Sequence, residues 1–254
     1  MRLHATGTSG GVLFCLWMCV STAATVAGAG QAAVQTAAAQ VAQDVRRVLQ
    51  DERDLRSIEV SVEGGEVTLR GVVPTLWAKS EAIRMTLDVS GVETVASDLE
   101  IPFVENDEDL IQDVAKAVYE YPYYTVWDYI EGGVNDGVVT LTGSVTPDRD
   151  KPGAIFERVA KIQGVQEVRS TIETQSASSF DVDLRYALTA RIFNDIAFEE
   201  FARWPNPPFH IIVDHSVVTL KGAARSESDK RRLEQLVRQT PGVLRVVSDL
   251  QTGQ

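Results

Sequence analysis

The chain has 254 residues, a formal net charge of −12 and only two cysteines, and its pI lies near 4.7. That negative field opposes nonspecific nucleic-acid binding and repels anionic lipid headgroups at long range, so any membrane contact has to come from apolar side chains or a local patch. Both cysteines, Cys15 and Cys19, fall near the start; the remainder holds no thiol, disulfide or cysteine-based metal site, which excludes thiol redox chemistry.

Residues 1–29 read as a secretory signal. Arg2 and His4 give a short positive start, Gly11 to Val20 an apolar stretch, and Ala27-Gly28-Ala29 a small-residue cleavage site. The apolar run is shorter than the ~20 residues a spanning helix needs. Neither cysteine follows the small residues expected before a lipidated one, so export with cleavage is preferred to a lipoprotein anchor. Without this segment, which carries Arg2 and no acid, the chain is one charge more negative.

The rest is organised as a threefold repeat. A strand ending in Val-Thr-Leu-x-Gly recurs at Val67–Gly71, Val139–Gly143 and Val218–Gly222, and a Gly-Val pair opens a further strand at Gly91, Gly164 and Gly242. The two glycines of each copy lie 20, 21 and 20 residues apart. Four-residue apolar spacing predicts a helix ahead of each marker strand, on Val41, Val45 and Leu49, on Leu110, Val114 and Val118, and on Leu184, Leu188 and Ile192. Alternation of Ile58, Val60 and Val62 with polar residues predicts a strand, joined to the next by a tight turn at Gly64-Gly65. Asn135-Asp136-Gly137 and Asp214-His215-Ser216 occupy that turn in the later copies. A second helix fills the interval between the glycines, over 75–89, 154–162 and 226–239.

The fold class expected is therefore α+β. Three tandem αββαβ modules, at 38–103, 107–174 and 178–252, each carry a small three-stranded mixed sheet covered on one face by two helices. The hairpin is antiparallel and the crossover strand parallel. Units of about seventy residues have marginal cores, so the copies are expected to lean on one another.

This order, with Val-Thr-Leu-x-Gly closing the second strand and Gly-Val opening the third, resembles the BON family, named for bacterial osmotically induced and nodulation proteins. The third copy departs from the pattern at Ser216, at Ala223-Ala224 and in a long insertion before its hairpin. The resemblance implies a non-enzymatic role in envelope maintenance under osmotic or other stress. It places the protein in the periplasm or peripheral to the outer membrane, with phospholipid surfaces or envelope proteins, and further copies of the chain, as partners. It implies no catalytic residue, cofactor or metal.

Several residues invite a site. Gly71, Gly143 and Gly222 could cradle a ligand, but a bend at the strand end explains them, and Gly91, Gly164 and Gly242, structurally. Trp77 aligns with Asp150 and Ser228 and is expected to be exposed at a helix start, able to dip into a lipid interface with Lys79 and Arg84 nearby; the alternative packs it on a neighbouring module. Tyr121, Tyr123, Trp127 and Tyr129 in the second copy, and Trp204 and Phe209 in the third, lie before the hairpins and form an aromatic surface. Trp127, Tyr129, His210 and Ile212 should face away from their own helices, so either the adjacent module or a partner covers them; a bulge at Gly132-Gly133 would reverse that facing. His210 and His215 point to opposite sides of a strand, which disfavours a metal pair. The aromatic segments also leave open a chaperone-like or adaptor role.

Overall fold

The computed structural model describes residues 24–102, 106–204 and 206–252, for 24–34 the backbone only. Residues 1–23 of the expected export signal lie outside the described residues, and its last six residues begin the first helix. The elements run α1 (Ala24–Asp51), β1 (Glu59–Glu63), β2 (Glu66–Val72), α2 (Leu76–Leu87) and β3 (Thr94–Glu100). There follow α3 (Asp107–Tyr119), β4 (Tyr129–Asn135), β5 (Val138–Val145), α4 (Lys151–Ala160) and β6 (Glu167–Thr174). The last set is α5 (Ser179–Phe193), β7 (Phe209–Asp214), β8 (Val217–Ala224), α6 (Glu227–Arg238) and β9 (Arg245–Thr252). Each set builds one three-stranded mixed sheet with the marker strand in the middle, antiparallel to the strand before it and parallel to the strand after the helix.

Local chemistry explains the boundaries. Side chains of Thr75, Asp150 and Ser226 accept from Ala78, Gly153 and Asp229 amides and so begin α2, α4 and α6. Because Asp150 caps it and Pro152 fits its first turn, α4 starts at Lys151, three residues before the start expected from its apolar spacing. The marker glycines do not end their strands, as the sequence suggested; β2, β5 and β8 continue to Val72, Val145 and Ala224. Gly143 has a φ of 139°, and a Cβ there would run into the Tyr129 carbonyl of the paired strand. Its role is close backbone approach inside the sheet. Gly91, Gly164 and Gly242 take a φ of 91°, 91° and 96° in the turns that lead from helix to strand.

The hairpins show how the third copy manages without glycine. His215 and Ser216 sit at φ values of 48° and 63°, a strained conformation for side-chain-bearing residues. Asp181 of α5 offsets this: its carboxylate, 1% exposed, accepts the His215 amide at 3.0 Å and the Ser216 amide at 2.9 Å. Asp107 of α3 repeats the device on the Asp136 and Gly137 amides, at 2.8 Å and 3.2 Å.

Three apolar cores result, one beneath each sheet, and they are not separate. Leu76 of the first unit packs on the core of the second. Val126 belongs to the core of the third unit and Trp127 packs against it. The Ile211 amide donates to the Val126 carbonyl at 2.8 Å, which joins β7 to the loop before β4. The register of β4 on β5 is continuous through Gly132 and Gly133, so no bulge reverses the facing of the aromatic residues.

Burial would raise the Asp181 pKa, but hydrogen bonds from Ser176, the Ser216 amide, Ser178 and the His215 amide outweigh it and hold the group below its ordinary value. An acid depressed on folding contributes stability that is present above its unfolded pKa of about 3.9 and lost as pH falls through the folded value. Asp181→Asn should therefore lower unfolding free energy at pH 7 by about 1–3 kcal/mol. Urea denaturation of both proteins should show the gap closing toward pH 3, and a gap that widened on acidification would contradict this role.

Candidate functional site

The residues expected at a lipid-facing helix are engaged within the fold. Trp77 is half-buried, not exposed, because the Lys161 ammonium at the end of α4 lies 5.0 Å from its ring centroid. Lys79 donates to the Leu99 carbonyl at 2.8 Å, just as Lys230 donates to Leu250 at 2.8 Å in the third unit. Arg84 pairs with Glu81 at 2.7 Å and with Asp88 at 3.4 Å. The intermediate burial of Trp77 corrects the exposure expected of it.

The aromatic residues divide. Tyr121 is buried in the second core and Phe209 in the third, the latter ringed by Phe193, Phe198 and Phe201. Phe209 is 1% exposed and available to no partner. Tyr129 is half-buried with His210 at 5.4 Å, and Tyr124 reaches the same imidazole at 5.7 Å. The outer face of β7, bare by sequence pattern, is therefore covered by the second unit; all its residues but Asp214 are buried. Burial pushes the His210 pKa down against the pull of Asp128 and Thr125 backbone groups. Trp204 remains exposed, edge-on to Phe201 at 5.2 Å. Tyr123 is also exposed, with the Arg149 guanidinium 3.4 Å from its ring centroid.

Beside this seam is a network that periodicity did not indicate. Asp128, fully buried, accepts from the Lys151 ammonium at 2.8 Å and 3.0 Å, from the Thr146 amide at 2.8 Å and from the Thr125 amide at 2.8 Å. Lys151 is 1% exposed and also donates to Thr146 Oγ1 at 2.6 Å. Asp148 lies 3.3 Å from the same ammonium; its pKa falls to about 2 because hydrogen bonds from Arg149, Thr146 and Lys151 exceed the effect of burial. Paired on two sides, this ammonium is held as a structural cation that pins the start of α4 to the loop before β4.

Next to the network the second and third units enclose a cleft of about 520 Å³. Tyr123, Trp127 and Pro147 line one side, Val182 and Tyr186 of α5 the other, with Arg185 and Lys151 between. Arg185 Nη2 donates to the carbonyls of Ser176 and Val213 and to Gln175 Oε1, at 3.1, 2.7 and 3.1 Å. Gln175 in turn donates to the Trp127 carbonyl at 2.6 Å, so Arg185 and Gln175 tie α5, β7 and the aromatic loop together. Arg185 is 5% exposed and forms no ion pair among the described residues. Its burial lowers its pKa despite surrounding acids.

The outward face of α5 is also unusual. It presents Phe180, Val182, Tyr186, Ala187 and Ala190, with Asp183 its one exposed charge. The matching faces of α1 and α3 carry Gln43, Arg46, Arg47 and Gln50, and Gln112, Asp113 and Lys116. The tyrosine and valine were legible as apolar residues off the core spacing, whereas Asp128, Lys151, Thr125, Thr146, Arg185 and Gln175 converge only in three dimensions. Among the described residues no group of three or more histidine, cysteine or acidic side chains is placed to hold a metal ion. No helix among them is long and apolar enough to cross a membrane.

The model of the BON domain matches residues 37–102 and 187–254, together more than half of the chain. The chain belongs to the BON domain family. The third copy, which departs from the repeat by sequence, is thus matched from residue 187, while the segment between the two matches, which holds the second copy expected at 107–174, is not, so two of the three expected copies are matched. Solved structures of CdsD, a structural protein of the type III secretion system of Chlamydia trachomatis, show weak similarity. The structure of its C-terminal domain is 13% identical with a TM-score of 0.25, covering 82% of this chain and 94% of that one. A second CdsD structure is 15% identical with a TM-score of 0.24, covering 85% and 94%. No curated protein gives a significant match.

Removing Lys151 leaves a fully buried carboxylate without its cation, which typically costs about 3–5 kcal/mol, whereas replacing both partners by apolar residues is often close to neutral. Lys151→Met should therefore destabilise the protein by that amount in urea denaturation, and Asp128→Asn combined with Lys151→Met should recover part of it, because the neutral amide oxygen can still accept from a threonine amide. A single variant as stable as the wild type would contradict the structural role.

Proposed function

We propose that this protein is an exported, non-enzymatic component of the bacterial envelope that binds phospholipid surfaces or other envelope components through its BON modules. Family membership supports the ligand class. The observation that carries the reading is the apolar outward face of α5, where Phe180 is 54% and Tyr186 71% exposed. Leu244, 81% exposed, extends this face, since Phe180 lies against the turn glycine Gly242 two residues before it. A helix apolar on both its core side and its solvent side needs a second covering surface. The expected signal at 1–29 supports export.

With one exposed acid on α5 and a negative net charge, attachment through this face would be driven by apolar burial and not by headgroup attraction. Flotation with zwitterionic phosphatidylcholine vesicles should recover the protein at least as well as flotation with anionic vesicles, and added salt should not release it. Phe180→Ser with Leu244→Ser should abolish recovery, whereas Trp77→Ala should retain it. Absence from both vesicle classes, or loss with Trp77→Ala alone, would refute α5 as the contact. A second reading, a polypeptide-binding adaptor, is favoured by the cleft between the second and third units.

A further inference from the structure

The strongest unassigned feature is the positive charge in that cleft. Buried charges are ordinarily paired, because an isolated ion loses much of its hydration without an opposite charge to replace it. Lys151 obeys the rule through Asp128 and Asp148. Arg185 has no direct ion pair among the described residues: its acceptors are two carbonyls and an amide oxygen, all neutral, while Asp181, Asp214, Asp128 and Asp148 act on its charge from beyond ion-pair distance. The walls around it are the faces of Tyr123, Trp127, Val182 and Tyr186.

A ligand complementary to this arrangement carries one negative charge immediately beside an apolar or aromatic group. Asp148, held ionised at the edge of the same cleft, disfavours a dianion such as phosphate. Arg185 is recessed, so a flat bilayer surface cannot bring a headgroup to it. The exposed rings of Tyr123 and Tyr186 leave the cleft open at its edge, which suits a continuing chain better than a closed acyl tunnel.

We propose that the cleft binds the carboxyl-terminal residue of a polypeptide, with an apolar or aromatic side chain resting on Tyr123, Trp127 and Tyr186 and the terminal carboxylate facing the Arg185 guanidinium. A chain end supplies both features on one residue, and a planar guanidinium suits a carboxylate. The cleft shares Val182 and Tyr186 with the outward face of α5, but the charge of Arg185 that carries this site plays no part in the lipid reading, whose test variants are at Phe180 and Leu244.

Calorimetric titration of the full chain tests it with two acetylated tetrapeptides, Ala-Ala-Ala-Phe ending in the free carboxylate and the same peptide ending in an amide. The acid should bind and the amide should bind about tenfold or more weakly, as expected for loss of a charge-assisted contact. Tyr186→Ala, at a solvent-exposed position, should weaken the acid about fivefold through loss of aromatic contact. Arg185→Gln, if folded by circular dichroism, should erase the difference between acid and amide. Equal affinity for both peptides, no binding of the acid at about 1 mM, or an unaffected Tyr186→Ala variant would overturn the proposal. Displacement of the acid peptide by decanoate at lower concentration than by the peptide itself would also overturn it, in favour of a fatty-acid site. None of these outcomes depends on whether the protein floats with vesicles.

Discussion

A three-stranded sheet with two helices has one covered face and one bare one, and most of what distinguishes this chain follows from how the bare face is closed. In the third unit the first strand reads Phe-His-Ile-Ile-Val, apolar on both sides apart from the histidine. The aromatic loop of the second unit meets both sides of this strand: Val126 joins the core on the helix-covered side and Trp127 packs against it, while Tyr124 and Tyr129 cover His210 on the other side. A backbone hydrogen bond from Ile211 to Val126 fixes the alignment. Burial of Val126 alone contributes about 1.5–3 kcal/mol, a sizeable share of what a seventy-residue unit has to spare.

That closure also creates the cleft. Asp128, two residues beyond Val126, is held by Lys151 and the two threonines, and this sets the loop against the start of α4. Arg185 and Gln175 then tether α5 to the loop from the other side. The gap left between the tethered elements is lined by the aromatic rings and by Arg185, which as a tether to neutral oxygens forms no direct ion pair among the described residues. Stability at the seam and the proposed binding cleft thus share residues, and the apolar outer face of α5 meets that cleft at Val182 and Tyr186 before it continues to Phe180.

The element order, the hairpin turns, the mixed pairing and the strand at Ile58, Val60 and Val62 were legible because strand alternation, helical spacing and turn glycines are local signals. The continuation of β2, β5 and β8 past their glycines was not, because what Gly143 and Gly222 avoid is a backbone carbonyl distant in sequence, that of Tyr129 and that of Pro208. Trp77 was expected to be exposed, with packing on a neighbouring module as the alternative, and its contact with Lys161 is of the second kind. Its neighbour Lys161 is distant in sequence, and an aromatic residue at a helix start reads alike whether it meets lipid or another unit. His210 and Tyr129 were correctly read as needing a cover, and the cover is the neighbouring unit. The Asp128 and Lys151 pair left no periodic trace, since one lies in a loop and the other at the first position of a helix, and Arg185 was hidden on a helix whose leucines accounted for its pattern.

The dependence of the third unit on the second is the claim on which the cleft, the tether and the reading of the aromatic loop all stand. Thermal unfolding of the fragment 178–252, followed by near-ultraviolet circular dichroism beside the fragment 107–252, tests it directly. The longer fragment should melt in one cooperative transition, and the shorter should show no fixed aromatic environment at 25 °C. A shorter fragment that melted cooperatively at the same midpoint as the longer one would show that the seam contributes nothing to the fold.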